Sequence, residues 1–283
     1  MSHIAATFEN LRRVGRTALM PYLTMGYPQR ESALALVPAL IEAGADLIEL
    51  GVPFSDPLAD GATIQTAAQQ ALANGMTPSL CLAQAAALRD RGGAVPFVLM
   101  GYYNPIFQMG LEHFAHHVAV AGIDGVIVPD LPPEESDILR LALRARGVDL
   151  IFLLPPTSDD GRVQLVAERT SGFLYLVSLT GVTGARDHLP PDLESFVARV
   201  RSVSELPLAV GFGISTPAQA AQVACIADGV IVGSALIKAI GASNDPVATT
   251  SAFIAGLRAG MDERLTSCPS CGIIAANQLN ITG

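Results

Sequence analysis

Eight short apolar runs punctuate the chain: Leu19–Thr24, Asp46–Leu50, Pro96–Gly101, Gly125–Val128, Leu150–Leu154, Phe173–Ser178, Leu208–Gly211 and Gly229–Val232. Between them lie longer segments whose apolar positions recur with a helical period, among them Arg30–Ala43, Glu134–Arg146, Gly161–Thr170, Leu193–Val203 and Pro217–Ile226. Strands alternating with helices pair in parallel, and near-continuous apolar strands imply a sheet covered on both faces. An open doubly wound sheet would usually show fewer strands and, for a dinucleotide, G-x-G-x-x-G after the first. Here the first run leads into Thr24-Met25-Gly26-Tyr27-Pro28 instead. Eight such units predict an α/β fold of the (β/α)8 TIM-barrel type. Ile4–Arg13 is expected to add an N-terminal helix closing the bottom of the barrel, which spans residues 1–261. The polar stretch 262–283 is expected to form a C-terminal extension.

The widest gap lies between Leu50 and Pro96, and it opens with Gly51-Val52-Pro53-Phe54-Ser55-Asp56-Pro57-Leu58-Ala59-Asp60-Gly61 before any helical pattern begins. In a barrel this loop emerges at the C-terminal face, where barrel enzymes build their chemistry, so its length points to function.

Composition narrows the function classes. Half of the 283 residues are apolar and 15% are charged, which excludes intrinsic disorder. A formal charge of -9 with no Lys/Arg cluster argues against nucleic acid and against a basic membrane-surface protein. A small anion is still admissible, since a few backbone N–H groups can hold one. Leu206–Ala227 is broken by Pro207, Gly211, Gly213 and Pro217 and is no membrane span, and Met1–Arg16 lacks the apolar core of a signal peptide. A cytoplasmic location is the expectation. Cys81 and Cys225 sit in apolar runs as small hydrophobes, while Cys268 and Cys271 form half a zinc site that no second pair completes. His113, His116 and His117 fall at helical spacing but on an outer helix, away from the mouth. They read as a solvated face, and no metal is expected.

Glu49 is the most informative residue. Flanked by Ile48 and Leu50 on a buried strand, its carboxylate loses hydration unless it is paired or protonated, so its pKa should rise toward that of a neutral-pH acid or base. A structural bond to a neighbouring element is the alternative, and its place at a strand's C-terminal end favours catalysis. In the loop that follows, Asp56 reads as an Asx-turn or cap, whereas Asp60 is a catalytic candidate that the loop can fold over the mouth. Two carboxylates in unlike settings take separate roles. Tyr175, central in its strand, fills the barrel or presents its hydroxyl to a substrate or to Glu49. Three glycine-rich turns follow the last three strands: Thr180–Gly184, Gly211–Ser215 and Gly233–Ala235. Together they predict a phosphate subsite, with a helix starting at Ser234 adding its positive end.

The stretch Gly44–Gly61 closely resembles the signature of the tryptophan synthase alpha chain family. Pro21–Thr24, Met100–Ile106, Pro129–Glu135, Thr180–Gly184 and Gly211–Ile214 resemble further motifs of that family, in order, and the match covers about Phe8 to Gly260. The resemblance implies retro-aldol cleavage of indole-3-glycerol phosphate to indole and glyceraldehyde 3-phosphate in tryptophan biosynthesis. It implies that Glu49 is the acid/base between the glycerol hydroxyl and indole C3, and that Asp60 accepts from the indole N–H. Tyr22, Ile64, Met100, Tyr175, Phe212 and Val232 would wall the indole pocket, and Gly184, Gly213, Gly233 and Ser234 would bind phosphate. Thr183 would close over the site and reach Asp60. No cofactor is implied in this chain. The implied partner is a pyridoxal-phosphate-dependent beta chain in an α2β2 assembly, met through Pro53–Asp60, Tyr102–Phe107 and Pro129–Glu135. Tyr27, Ala62 and Leu179 stand where the family commonly has Asp, Pro and Arg, and none of these changes removes an assigned group.

Three other readings compete: a free-standing indole lyase, a silent activating subunit, which retained Glu49 and Asp60 disfavour, and a different phosphate-binding barrel, which would not need the Glu49–Asp60 block.

Overall fold

Among the described residues nine strands form one parallel sheet: β1 (Ala18–Thr24), β2 (Ile48–Gly51), β3 (Phe97–Met100), β4 (Gly125–Ile127), β5 (Asp149–Ile151), β6 (Leu153–Leu154), β7 (Leu174–Val177), β8 (Leu208–Gly211) and β9 (Gly229–Val232). Their order is β5-β4-β3-β2-β1-β9-β8-β7-β6. The computed structural model describes residues 1–177, 189–211 and 213–265.

The ends of this order, β5 and β6, are one run interrupted at Phe152, where eight strands were expected. Its first half pairs with β4 and its second with β7, and the Phe152 carbonyl accepts from Tyr175 N–H at 3.2 Å. The run changes partner and closes the sheet into the expected barrel.

Among the described residues twelve α-helices surround it: α1 (His3–Arg13), α2 (Ala33–Glu42), α3 (Ala62–Ala73), α4 (Pro78–Asp90), α5 (Tyr103–Met109), α6 (Leu111–Val120), α7 (Asp137–Arg144), α8 (Asp160–Arg169), α9 (Leu193–Arg201), α10 (Pro217–Ala224), α11 (Ser234–Gly241) and α12 (Pro246–Leu265). Local chemistry starts several of them. Thr77 caps α4 with Pro78 in its first turn, Asp159 caps α8, and Thr216 and Gln219 form a reciprocal capping box on α10. The wide gap after β2 holds the expected loop and then two helices, α3 and α4. Two helices likewise follow β3 and β9. Helix α12 passes the expected boundary at 261, and Asp262 meets Arg16 and Arg258, so its last turn joins the barrel. The remaining extension, residues 266–283 with Cys268 and Cys271, lies outside the described residues.

The strands are buried on both faces, so the core is two-layered. Met20, Ile48, Leu50 and Val98 belong to the sheet, and Leu36, Leu40, Phe114 and Val118 seal the helices to it. Each such side chain stabilises by roughly 1.5–3 kcal/mol on burial. Helix α1 closes the bottom as expected: Ile4 is fully buried against the start of β4, and Phe8 meets Phe173 with ring centroids 5.8 Å apart.

One device recurs at that bottom rim. An aspartate one or two residues ahead of a strand accepts from an N–H at the start of the neighbouring strand: Asp46 from Leu19, Asp124 from Phe97 and Asp228 from Leu208. Each also meets an arginine, Arg258, Arg89 and Arg201 respectively. The bottom carboxylates are therefore consumed by structure, and the chemistry is left to the opposite end.

Candidate active site

At the C-terminal mouth a cavity of about 270 Å3 is lined by β1 (Tyr22), β2 (Glu49), the β2–α3 loop (Asp60, Gly61), α3 (Thr63, Ile64), β3 (Met100), β7 (Tyr175), the β8–α10 turn (Gly213–Ser215), β9 (Ile231) and the start of α11 (Gly233–Ala235, Lys238). Parallel strands bring all these C-terminal ends to one side, so residues far apart in sequence converge.

Glu49 lies in register with Tyr22 and Val98, is 2% exposed, and has its Oε1 buried without a hydrogen-bond partner. Burial first, and the nearby charge of Asp60 second, push its carboxyl up to about 8. Asp60 is raised to about 6 by burial, against a hydrogen bond from Tyr102 that lowers it. The Tyr102 hydroxyl donates to Asp60 Oδ2 at 3.1 Å and accepts from the Ala59 N–H at 3.0 Å. At neutral pH the pair therefore stands as one protonated and one ionised carboxyl, the separation that acid chemistry beside an anionic stabiliser requires.

Two tyrosines enclose Glu49, and two glycines admit them. A Cβ on Gly51 would lie 2.1 Å from the Tyr22 hydroxyl, and one on Gly211 would lie 2.4 Å from that of Tyr175. Each ring therefore crosses the end of its neighbouring strand only because no side chain stands there. Burial raises both phenols well above their ordinary range, so they stay neutral.

The opposite end of the cavity is built of backbone. The first intrahelical bond of α11 runs from Ile237 N–H to the Gly233 carbonyl, which leaves the N–H groups of Ser234, Ala235 and Leu236 without helical acceptors. Gly213 has φ +82°, a conformation L side chains resist, and Gln219 holds its turn by accepting from Ser215 N–H at 2.9 Å. Unsatisfied N–H groups at a helix start form an anion cradle.

The chain matches the family model for the tryptophan synthase alpha chain over residues 8–263. A tryptophan synthase alpha chain from Roseiflexus sp. (strain RS-1) is 58% identical over 240 residues, 85% of this chain and 92% of that one. Another, from Dehalococcoides mccartyi, is 52% identical over 263 residues, 93% of this chain and all of that one. The solved structure of tryptophan synthase subunit alpha from Legionella pneumophila superimposes with a TM-score of 0.87 at 40% identity, covering 93% of this chain and 99% of the other. The chain belongs to the tryptophan synthase alpha chain family.

Of the residues singled out from sequence, Glu49, Asp60, Tyr22, Ile64, Met100, Tyr175, Gly213, Gly233 and Ser234 line this one cavity. Val232 does not: strand alternation turns it away, and Ile231 faces the cavity instead. Thr183, Gly184 and Phe212, with Leu179, lie outside the described residues. Tyr102, expected at a docking loop, is 5% exposed and serves Asp60, and the segment after it is helix α5. Lys238 and Thr63 were not anticipated, although Lys238 is the chain's only lysine. His113 and His116 each meet His117 edge-on along α6, and no group of three or more His, Cys, Asp or Glu suited to a metal occurs among the described residues. Among the same residues no helix is long and apolar enough to cross a membrane.

Proposed function

We propose that this chain is a carbon–carbon lyase that cleaves indole-3-glycerol phosphate to indole and glyceraldehyde 3-phosphate. The observation that carries the reading is the buried, unpartnered Glu49 Oε1 facing an ionisable Asp60 in a cavity whose far end is a cradle of backbone N–H groups. The phosphoryl group sits on that cradle, at Gly213, Gly233 and Ser234 and, on the family resemblance, Gly184. The ring then lies among Tyr22, Ile64, Met100, Tyr175 and Ile231, with Phe212 expected beside them.

Protonated Glu49 gives its proton to indole C3, and the ring nitrogen becomes cationic. Asp60 accepts the N–H hydrogen bond and stabilises that charge. The Glu49 carboxylate then takes the proton of the hydroxyl on the carbon attached to C3. The C–C bond electrons return to the ring as indole leaves, and the aldehyde of glyceraldehyde 3-phosphate forms. The family resemblance adds Thr183, outside the described residues, as the residue that would close over the substrate. No cofactor is assigned to this chain.

The partner is a beta chain that carries pyridoxal phosphate and receives the indole, in an α2β2 assembly in the cytoplasm. Pro53–Asp60, Tyr102–Phe107 and Pro129–Glu135 follow the adjacent strands β2, β3 and β4, so they form one continuous rim. Phe54 stacks on Tyr102 at 5.1 Å, Tyr103 N–H donates to Asp130 at 2.8 Å, and Leu58 and Phe107 project from the rim at 94% and 57% exposure. Apolar side chains so placed suit a protein partner.

The test is release of indole from indole-3-glycerol phosphate by the purified chain, alone and with a tryptophan synthase beta chain. Release that the beta chain accelerates is the expected result, and no release in either arm refutes the reaction.

A further inference from the structure

The chain contains a single lysine, Lys238, and it lines the cavity. It lies four residues after Ser234 on α11, so the two share a helix face. Cα–Cβ bonds tilt toward a helix's N-terminus, which leads the long lysine stem back over the turn carrying Ser234 and Ala235. Among the described residues that line the cavity, the acids are Glu49 and Asp60, and Lys238 is the basic side chain. Arg89, Arg201 and Arg258 are engaged with the bottom-rim aspartates, at the other end of the barrel. Lys238 is exposed at the lip, so its ammonium meets a ligand at modest desolvation cost.

A phosphomonoester brings nearly two negative charges at neutral pH. The start of a helix offers about half an elementary positive charge, and the same cavity already holds an ionised Asp60. Backbone donors therefore orient the phosphoryl group without balancing it.

We infer that Lys238 is the cation that neutralises the substrate's phosphoryl group and sets this site's selectivity for phosphorylated over unphosphorylated indole compounds. This role presupposes the phosphorylated substrate proposed above. Lys238 takes no part in the proton transfers; it acts on binding.

The experiment compares wild type, Lys238→Met and Lys238→Arg in steady-state indole release, and measures inorganic phosphate binding by calorimetry. Lys238→Met is expected to raise KM about tenfold, to leave kcat within about twofold, and to weaken inorganic phosphate by a similar factor. Its KM should respond less to ionic strength than that of wild type, and Lys238→Arg should stay within about threefold of wild type. An unchanged KM, or a kcat loss at constant KM, overturns the role. If wild type releases no indole, the proposed reaction fails by itself. The calorimetric arm still decides: weaker phosphate in Lys238→Met upholds the cation's role, and equal affinity, or no binding by wild type, overturns it.

Discussion

The hydroxyl of Tyr102 donates a 3.1 Å hydrogen bond to Asp60 Oδ2, and through Ala59 N–H it also ties down the backbone that carries Asp60. That bond lowers the Asp60 pKa against the effect of burial. Tyr102→Phe should therefore raise the Asp60 pKa above about 6 and move the acid limb of turnover to higher pH. A loss of about tenfold near neutrality is expected, the scale of one hydrogen bond to a charged group. A pH–rate profile that coincides with wild type would remove Tyr102 from the site's electrostatics.

Glu49→Gln keeps shape and volume but cannot exchange the proton. Indole release should fall by about 100-fold or more, while inorganic phosphate still binds. Near wild-type turnover would end the acid/base assignment.

The same variant separates chemistry from stability. The Glu49 carboxyl is raised from 4.5 to about 8 in the folded chain, so between those values the folded state holds a proton the unfolded state has lost. Wild-type stability falls through that window and levels above it. Glu49→Gln should match wild type in thermal unfolding at pH 4 and exceed it by a widening margin up to about pH 8. A margin that does not vary with pH would contradict the raised carboxyl.

Asp60→Asn removes both the proposed partner of the ring nitrogen and a charge that raises Glu49. Turnover should drop by about 100-fold. The residual activity should lose its basic limb at lower pH than wild type does, because Glu49 then ionises more readily. A basic limb that stays in place would show that the two carboxyls do not interact.

Gly51→Ala puts a methyl group where the Tyr22 hydroxyl now lies. The ring must leave the position it holds beside Glu49, so kcat/KM should fall by about tenfold or more while inorganic phosphate binding persists. Unaltered kinetics would show that Tyr22 can move without consequence.

The strands were legible because apolar runs between helical segments are the direct imprint of a sheet buried on both faces. Such runs also hide information. Ile231 and Val232 are equally apolar, so the sequence carries no mark of which one faces inward, and the register decided it. Phe152 interrupts a run by a change of hydrogen-bonding partner, which leaves no trace in side-chain character. Glu49 stood out as a charge with no local reason to be buried. The bond from Tyr102 to Asp60 joins residues 42 apart, and only the barrel brings them together. Lys238 could have been found from its rarity and its spacing from Ser234, a sign that residue counts can be as informative as motifs.

That rarity has a practical side. Apart from the terminal α-amine, reagents that seek amines, such as acylating dyes, crosslinkers and activated resins, have one target in this chain, and it is exposed at the lip of the cavity. A tag or support attached through that lysine lands at the doorway, so immobilising the molecule this way amounts to stoppering it.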